Sequence, residues 1–289
     1  MIIGISGKQN SGKDTIGKII QFLTSHEYKD GWRNYENWLD SIYEPTFNSN
    51  WKIKKFADKL KDVVCLLINC TRKQLEDREF KEKELGEEWW YYKYGESLYN
   101  YKTEKTLLVR VMNSEFLEPC AEEDLENCLI KLTPRLLLQL LGTECGREIL
   151  HPNLWVNSLF ADYKSYDKGK AHDLKDLSEL YTHKECKNCK KSYSGWKRQY
   201  LCKECIEDKS IQFYPNWIIT DCRFPNEAQA IKERGGILIR IERPGLAESN
   251  HLSETSLDSA TFDFIIDNDK DIEHLIDEVR KILKKLSII

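Results

Sequence analysis

The 289-residue chain has little that would tie it to a membrane, a secretory route or a polyanion. No apolar run approaches the roughly 20 residues that cross a bilayer. The apolar start, residues 1–6, is far too short for a signal-peptide core, so a secreted protein is not expected. A formal net charge of −4 with mixed signs argues against a protein built chiefly to coat nucleic acid or an anionic membrane, although a local basic patch stays open. The ten cysteines lack the spacing of a disulfide framework. Cys65, Cys70, Cys120, Cys128, Cys145 and Cys222 are scattered singly among apolar or helical neighbours and read as reduced thiols in a reducing compartment. The expectation is a soluble, intracellular protein. Its length suits one large α/β domain, or one domain with an insertion.

What the chain does have starts at its first residue. Met1-Ile2-Ile3-Gly4-Ile5-Ser6 leads directly into Gly7-Lys8-Gln9-Asn10-Ser11-Gly12-Lys13-Asp14-Thr15, and an amphipathic run, Ile16 to Leu23, follows. A strand, a glycine-bounded loop and a helix in that order form a phosphate-binding loop. Successive backbone N–H groups must wrap around phosphate oxygens, and glycine at positions 7 and 12 allows those turns without a Cβ clash. Lys13 would reach the β- and γ-phosphates, and the helix dipole adds favourable potential for anions. Asp14 stands where a Ser or Thr hydroxyl usually meets Mg²⁺, and Thr15 is the neighbouring hydroxyl able to take that role.

Four cysteines form a pattern of their own. Cys186-Lys187-Asn188-Cys189 and Cys202-Lys203-Glu204-Cys205 are two CxxC knuckles, with a hairpin-like segment, Lys190 to Leu201, between them. Four thiolates so arranged suit a tetrahedral structural Zn²⁺, a zinc ribbon spanning 182–209. In so small a segment the metal would substitute for a core. Lysines interleaved with Tyr193, Trp196 and Tyr200 leave contact with nucleic acid or a protein partner as the alternative role.

Beyond the ribbon an α/β pattern resumes. Trp217 to Asp221 reads as a buried strand ending in an acid, Ala228 to Arg234 as a helix ended by Gly235-Gly236, and Ile237 to Ile241 as the next strand, broken by Glu242-Arg243-Pro244-Gly245. A further strand, Phe262 to Ile266, and a helix from about Ile272 to Leu286 complete the pattern. Strands alternating with helices imply a mostly parallel sheet with ligands at its carboxyl edge. That rule sets Gly7 to Lys13, Asp221 to Arg223, and Arg243 along one rim. Asp221 then suits magnesium and Arg223 and Arg243 a transferring phosphoryl group, against cap and surface ion-pair roles. Upstream, Thr133 to Glu144 reads as a helix with Pro134 near its start and Gly142 at its end.

Together, Ser6-Gly7 through Thr15, Phe56-Ala57-Asp58 with Leu60-Lys61, Leu140 to Glu144, Trp155-Val156, Asp221-Cys222-Arg223 with Asn226-Glu227, Arg243-Pro244-Gly245 and His251 to Glu254 resemble the bacteriophage deoxynucleoside monophosphate kinase family, within the P-loop NTPases. The resemblance covers most of the chain in the right order, and Asp14 agrees with the family pattern. It implies a three-layer α/β kinase domain over 1–289, with the ribbon and a smaller insertion or lid region, 82–128, added to it. It also implies transfer of the γ-phosphoryl of ATP, with Mg²⁺, to a deoxynucleoside monophosphate (dNMP). Under it Gly7, Asn10, Ser11, Gly12, Lys13, Asp14 and Thr15 hold ATP; Arg135, Gly142 and Trp155, with Lys61, Arg147 and Glu254 as weaker candidates, hold the acceptor, and Glu227 is a further weaker site candidate by its motif. Lys13, Asp221, Arg223 and Arg243 attend the transferring group. A virus-encoded enzyme of DNA-precursor supply is implied, and homodimerisation stays open. Another P-loop kinase of the phosphomevalonate or dephospho-coenzyme A type, and a nucleic-acid-binding NTPase reading through its ribbon, are the alternatives.

Overall fold

The computed structural model describes residues 1–25, 35–39, 49–94, 97–100, 106–107, 129–165, 181–185, 189–196, 214–246 and 255–289. In chain order the described elements begin with β1 (Ile2–Ser6), α1 (Lys13–Leu23), α2 (Tyr35–Leu39), β2 (Trp51–Lys54), α3 (Asp58–Leu67), α4 (Arg72–Glu76) and α5 (Arg78–Glu82). There follow β3 (Trp90–Tyr94), β4 (Ser97–Asn100), β5 (Thr106–Leu107), β6 (Leu129–Lys131), α6 (Pro134–Gln139) running on into a π-helix (Leu140–Leu150), and α7 (Leu154–Phe160). The last are β7 (Tyr181–Glu185), β8 (Ser192–Trp196), β9 (Asn216–Ile219), α8 (Pro225–Lys232), β10 (Ile237–Glu242), β11 (Phe264–Asp267) and α9 (Ile272–Lys285).

Five strands pair in the order β11-β10-β1-β9-β2, every pairing parallel. The isoleucine-rich strands suit this arrangement because a parallel sheet is covered on both faces. Ile3 and Ile5 enter one core with Ile16, Ile19 and Ile20 of α1 and Leu275, Val279 and Leu283 of α9. Ile2, Trp217, Ile219 and Leu238 enter the opposite core with Val156 and Phe160 of α7 and Ala228 and Ile231 of α8. Helices on both faces of a parallel sheet are the three layers expected from the sequence. α9 starts cleanly because the Asp271 side chain accepts from the His274 amide, and α8 has Pro225 in its first turn.

A third core lies beside the sheet, built from Leu60 and Val64 of α3, Leu75 of α4, Leu132, Leu137 of α6 and Trp155 of α7. A four-stranded antiparallel sheet, β5-β4-β3-β6, falls in and around the expected 82–128 insertion. One expectation is corrected. Gly142 does not end a helix: α6 continues as a π-helix to Leu150, with Gly142 pressed so close to α3 that a Cβ there would sit 2.8 Å from Leu60 Cδ2. Of the hairpin-like segment expected over 190–201, residues 197–201 lie outside the described residues. β8, inside that segment, pairs antiparallel with β7, which precedes the first knuckle in sequence.

Leu283 is fully buried between sheet and α1. Leu283→Ala is expected to lower stability by about 2–5 kcal/mol in chemical denaturation, and a loss well under 1 kcal/mol would contradict the docking of α9.

Candidate functional site

The loop after β1 needs its glycines. Gly12 has φ +106°, a conformation that strains an L-residue, and a Cβ on Gly7 would lie 2.6 Å from the Ile241 carbonyl oxygen. Asn10 also takes a positive φ, 62°. The Lys13 ammonium lies inside the loop, donating to the carbonyls of Gly7 at 2.5 Å and Lys8 at 2.6 Å. α1 begins at Lys13 with no side-chain cap, so its first-turn amides face the loop as anion donors. Asn268, just past β11, braces the loop by donating from Nδ2 to Ser11 O at 2.8 Å. Ser11 Oγ is buried without a hydrogen-bond partner among the described residues.

Next to the loop, β9 delivers two polar residues. Thr220 Oγ1 donates to Asp14 Oδ1 at 2.6 Å, and Lys55 Nζ reaches Asp14 Oδ2 at 2.9 Å. Burial opposes the Asp14 charge, but these two donors prevail and hold its carboxyl below the usual range. Asp221 accepts from the Phe56 amide with Oδ1 at 2.8 Å and from the Ala57 amide with Oδ2 at 3.0 Å. Full burial pushes its carboxyl up, against those amides, Arg223 and Lys55. The cap role left open for Asp221 is thus real: it clasps the turn between β2 and α3.

That clasp forms the floor of a cavity of about 240 Å³. Its wall brings together Arg135, Gly142, Arg147, Trp155, Asp221 and Arg223, six of the residues singled out in the sequence, from α6, the π-helix, α7 and the turn after β9. Trp155 is held there by its indole N–H, which donates to the Gly142 carbonyl at 2.7 Å. Arg135 pairs with Glu82 at the entrance. Lys61 is not on the wall; its ammonium is on Glu76, 2.7 Å away. Glu254 lies outside the described residues. Arg243 is not on this wall either: it joins Lys8, Ser11 and Arg240 around a second cavity of about 360 Å³ and donates to the Asn10 carbonyl at 3.4 Å.

Several wall residues carry no sequence signal. Lys81 sits in an undistinguished charged run, yet lines the cavity with its pKa lowered by burial and by Lys61 and Arg135, against the pull of Glu76. Gln139 and Thr143 add uncharged hydrogen-bonding groups, and Phe224 an aromatic face. Glu227, also on the wall and 1 % exposed, accepts from Arg147 Nη2 at 2.7 Å and from the amides of Arg223 and Phe224 at 2.8 and 3.1 Å. Burial raises its pKa to about 7, with Asp221 adding to the rise and Arg147 opposing it. The Asn226 side chain ties the same turn to Pro152 and Asn153 ahead of α7.

The chemistry of this arrangement is anion handling on two sides of Asp221. A glycine loop with a buried lysine stands on one side, and a pocket with Lys81, Arg135, Arg147 and Arg223 stands on the other. Of the four CxxC cysteines, Cys189 is half-buried between β7 and β8, while Cys186, Cys202 and Cys205 lie outside the described residues. Among the described residues no cluster of three or more His, Cys, Asp or Glu side chains is placed to hold a metal, and no helix is long and apolar enough to cross a membrane.

Comparison with known proteins bears on both sides. Residues 186–279 match the sequence model of the family described as deoxynucleotide monophosphate kinase. A protein of Acanthamoeba polyphaga mimivirus, whose name assigns it provisionally to the same kinases, is 45% identical over 155 residues, 51% of this chain and 59% of its own length. The deoxynucleoside-5'-monophosphate kinase of Escherichia phage T5 is 21% identical over 280 residues, 89% of this chain and 85% of the relative. The deoxynucleotide monophosphate kinase of Enterobacteria phage T4 is 31% identical over 80 residues, covering 27% of this chain and 33% of that protein. The loop, the parallel sheet and the basic cavity thus stand in a chain whose sequence is similar, over part or most of its length, to viral and phage proteins named as deoxynucleotide monophosphate kinases.

Proposed function

We propose that the protein transfers the γ-phosphoryl group of ATP to a dNMP, giving ADP and a deoxynucleoside diphosphate. The observation that carries this reading is the cavity of Arg135, Arg147, Arg223 and Trp155 standing across Asp221 from the Gly7 to Lys13 loop, because a kinase for a phosphorylated acceptor needs two anion sites side by side. An oxygen of the acceptor phosphate attacks the γ-phosphorus while the bond to the β-phosphate oxygen breaks and ADP leaves. Lys13 and the loop amides hold the donor phosphates. Arg223, with the remaining cavity cations, bears the charge spread over the transferring group, and the apolar walls of Phe56, Leu60 and Trp155 exclude water. Trp155 and Phe224 offer faces for a base, and Gln139 and Thr143 offer hydrogen bonds to its edge. Arg243, at the second cavity beside the loop, serves the donor side.

The residues fit Mg²⁺. Asp14 and Asp221 both act on the Lys55 ammonium, so two hard carboxylates converge near the loop, and Thr15 stands half-buried beside them. A magnesium site that shares nucleotide phosphates and water needs only one or two carboxylates from the protein. Bound there, the ion would neutralise charge on the phosphate oxygens. A structural Zn²⁺ on Cys186, Cys189, Cys202 and Cys205 is part of the same proposal; Cys189 between β7 and β8 is the position a knuckle thiolate occupies. The ribbon, 182–209, is proposed as a structural insertion in a kinase domain that spans the chain, and the sheet around 82–128 as a second insertion beside the acceptor cavity.

Lys13→Ala is expected to cut turnover by about 10²–10³ or more with the fold retained, measured by coupled ADP release with ATP, Mg²⁺ and a panel of dNMPs. Near-normal rates would remove the loop from the mechanism. Turnover on dephospho-coenzyme A or mevalonate phosphate, with silence on dNMPs, would redirect the acceptor assignment. Metal analysis of purified protein should find zinc in stoichiometric amount, lost in the Cys186→Ser/Cys202→Ser variant; equal zinc in both would contradict the ribbon.

A further inference from the structure

Glu227 makes contacts that the transfer of a phosphoryl group does not by itself require. It belongs to α8, in the layer behind the sheet, and is nearly fully buried. Its two oxygens face different ways. Oε2 accepts from the backbone amides of Arg223 and Phe224, which closes the turn before α8 and sets the direction in which both side chains leave it. Oε1 reaches across to the π-helix and takes Arg147 Nη2 at 2.7 Å. The Arg147 guanidinium also lies over the Phe224 ring, 4.1 Å from its centre. One carboxylate therefore governs three members of the cavity wall: Arg147 by charge, and Arg223 and Phe224 by backbone.

The cost of this arrangement shows that it is more than a helix cap. A cap needs only a side-chain oxygen at the surface, whereas a carboxylate taken out of water is strongly disfavoured unless paired. The groups facing Glu227 are Arg147 from the π-helix and Asp221 and Cys222 from the turn after β9. Arg147 is the only cation among these, and Asp221 repels, so the ion pair with Arg147 is what keeps the charge tolerable. A guanidinium has five N–H groups, so the one that reaches Glu227 leaves others to face the cavity. Stacked on one face and paired at one edge, Arg147 has lost the freedom that an arginine at a surface would keep.

We infer that Glu227 is a positioning residue for the acceptor: with both of its oxygens engaged by Arg147 and the turn amides, it acts by holding Arg147 in the orientation that binds the acceptor's phosphate. The inference rests on the proposed kinase reaction. It specifies that the effect of Glu227 on acceptor binding passes through Arg147 and does not reach the ATP loop, whose polar contacts come from Lys13 and Asn268.

The test is a double-mutant cycle on the full chain, reading kcat and separate KM values for ATP and dNMP in the wild type, Glu227→Gln, Arg147→Gln and the double variant. Glutamine keeps one oxygen for the amides of Arg223 and Phe224 but replaces the other with an amino group that cannot accept from Arg147. Glu227→Gln is expected to raise the dNMP KM about tenfold, with the ATP KM within about twofold, because contacts to a charged partner are the ones strongly lost on truncation. In the Arg147→Gln background the same change should add less than about twofold, the signature of two residues acting as one unit. Thermal melting of each variant separates these effects from loss of fold. An active wild type in which the two substitutions multiply independently, or in which both KM values rise together, would overturn the positioning role alone. A wild type inactive on every dNMP would overturn the kinase reading and this inference with it.

Discussion

Two buried carboxylates, Asp221 and Glu227, hold the site together at the end of the sheet's second-innermost strand. Each reaches across an architectural seam. Asp221 clasps the backbone at Phe56 and Ala57, joining β9 to the start of α3, and Glu227 joins α8 to the π-helix through Arg147. Like charges so close in a buried setting are unfavourable alone, and burial pushes both carboxyls up in pKa. They persist because backbone amides and arginines surround them. Those arginines are the cavity's own cations, so the interaction that closes the seam also furnishes the site.

The parallel sheet explains why donor loop and acceptor cavity are neighbours. β1 has β9 on one side and β10 on the other, and the chain leaves all three at the same edge. The Gly7 to Lys13 loop follows β1, Asp221 follows β9, and Arg243 follows β10. A crevice at such a switch of strand order is where α/β sheets bind ligands. The side core of α3, α4, α6 and Trp155 then supplies the outer wall, which the sheet alone cannot reach.

Much of this was legible in the sequence, for a physical reason. The strand, loop and first helix depend on local chemistry, with β-branched apolar residues followed by glycines where positive φ or close approach is required, and so they read directly. Arg135, Gly142, Arg147 and Trp155 were found through family resemblance, and the cavity unites them. What could not be read depends on distant partners. Gly142 looks like a helix end, and only the approach of Leu60 shows it to be a contact point inside a continuing π-helix. Lys81 and Asn268 carry no pattern that separates them from surface polar residues, and Lys61 matched a motif although its ammonium is engaged by Glu76. The pairing of β7 with β8 escaped because strand pairing is set by register, which CxxC spacing does not encode.

The account stands on two anion sites sharing one edge of the sheet, with the acceptor on the Arg135, Arg147 and Trp155 side. The most direct measurement is the crystal structure of the protein with a bisubstrate analogue, adenosine joined to a deoxynucleoside through a polyphosphate chain. The account predicts phosphates in the Gly7 to Lys13 loop beside Lys13 and the deoxynucleoside in the cavity under Arg147, against Trp155 or Phe224. A deoxynucleoside lodged elsewhere, with that cavity holding only water, would contradict it.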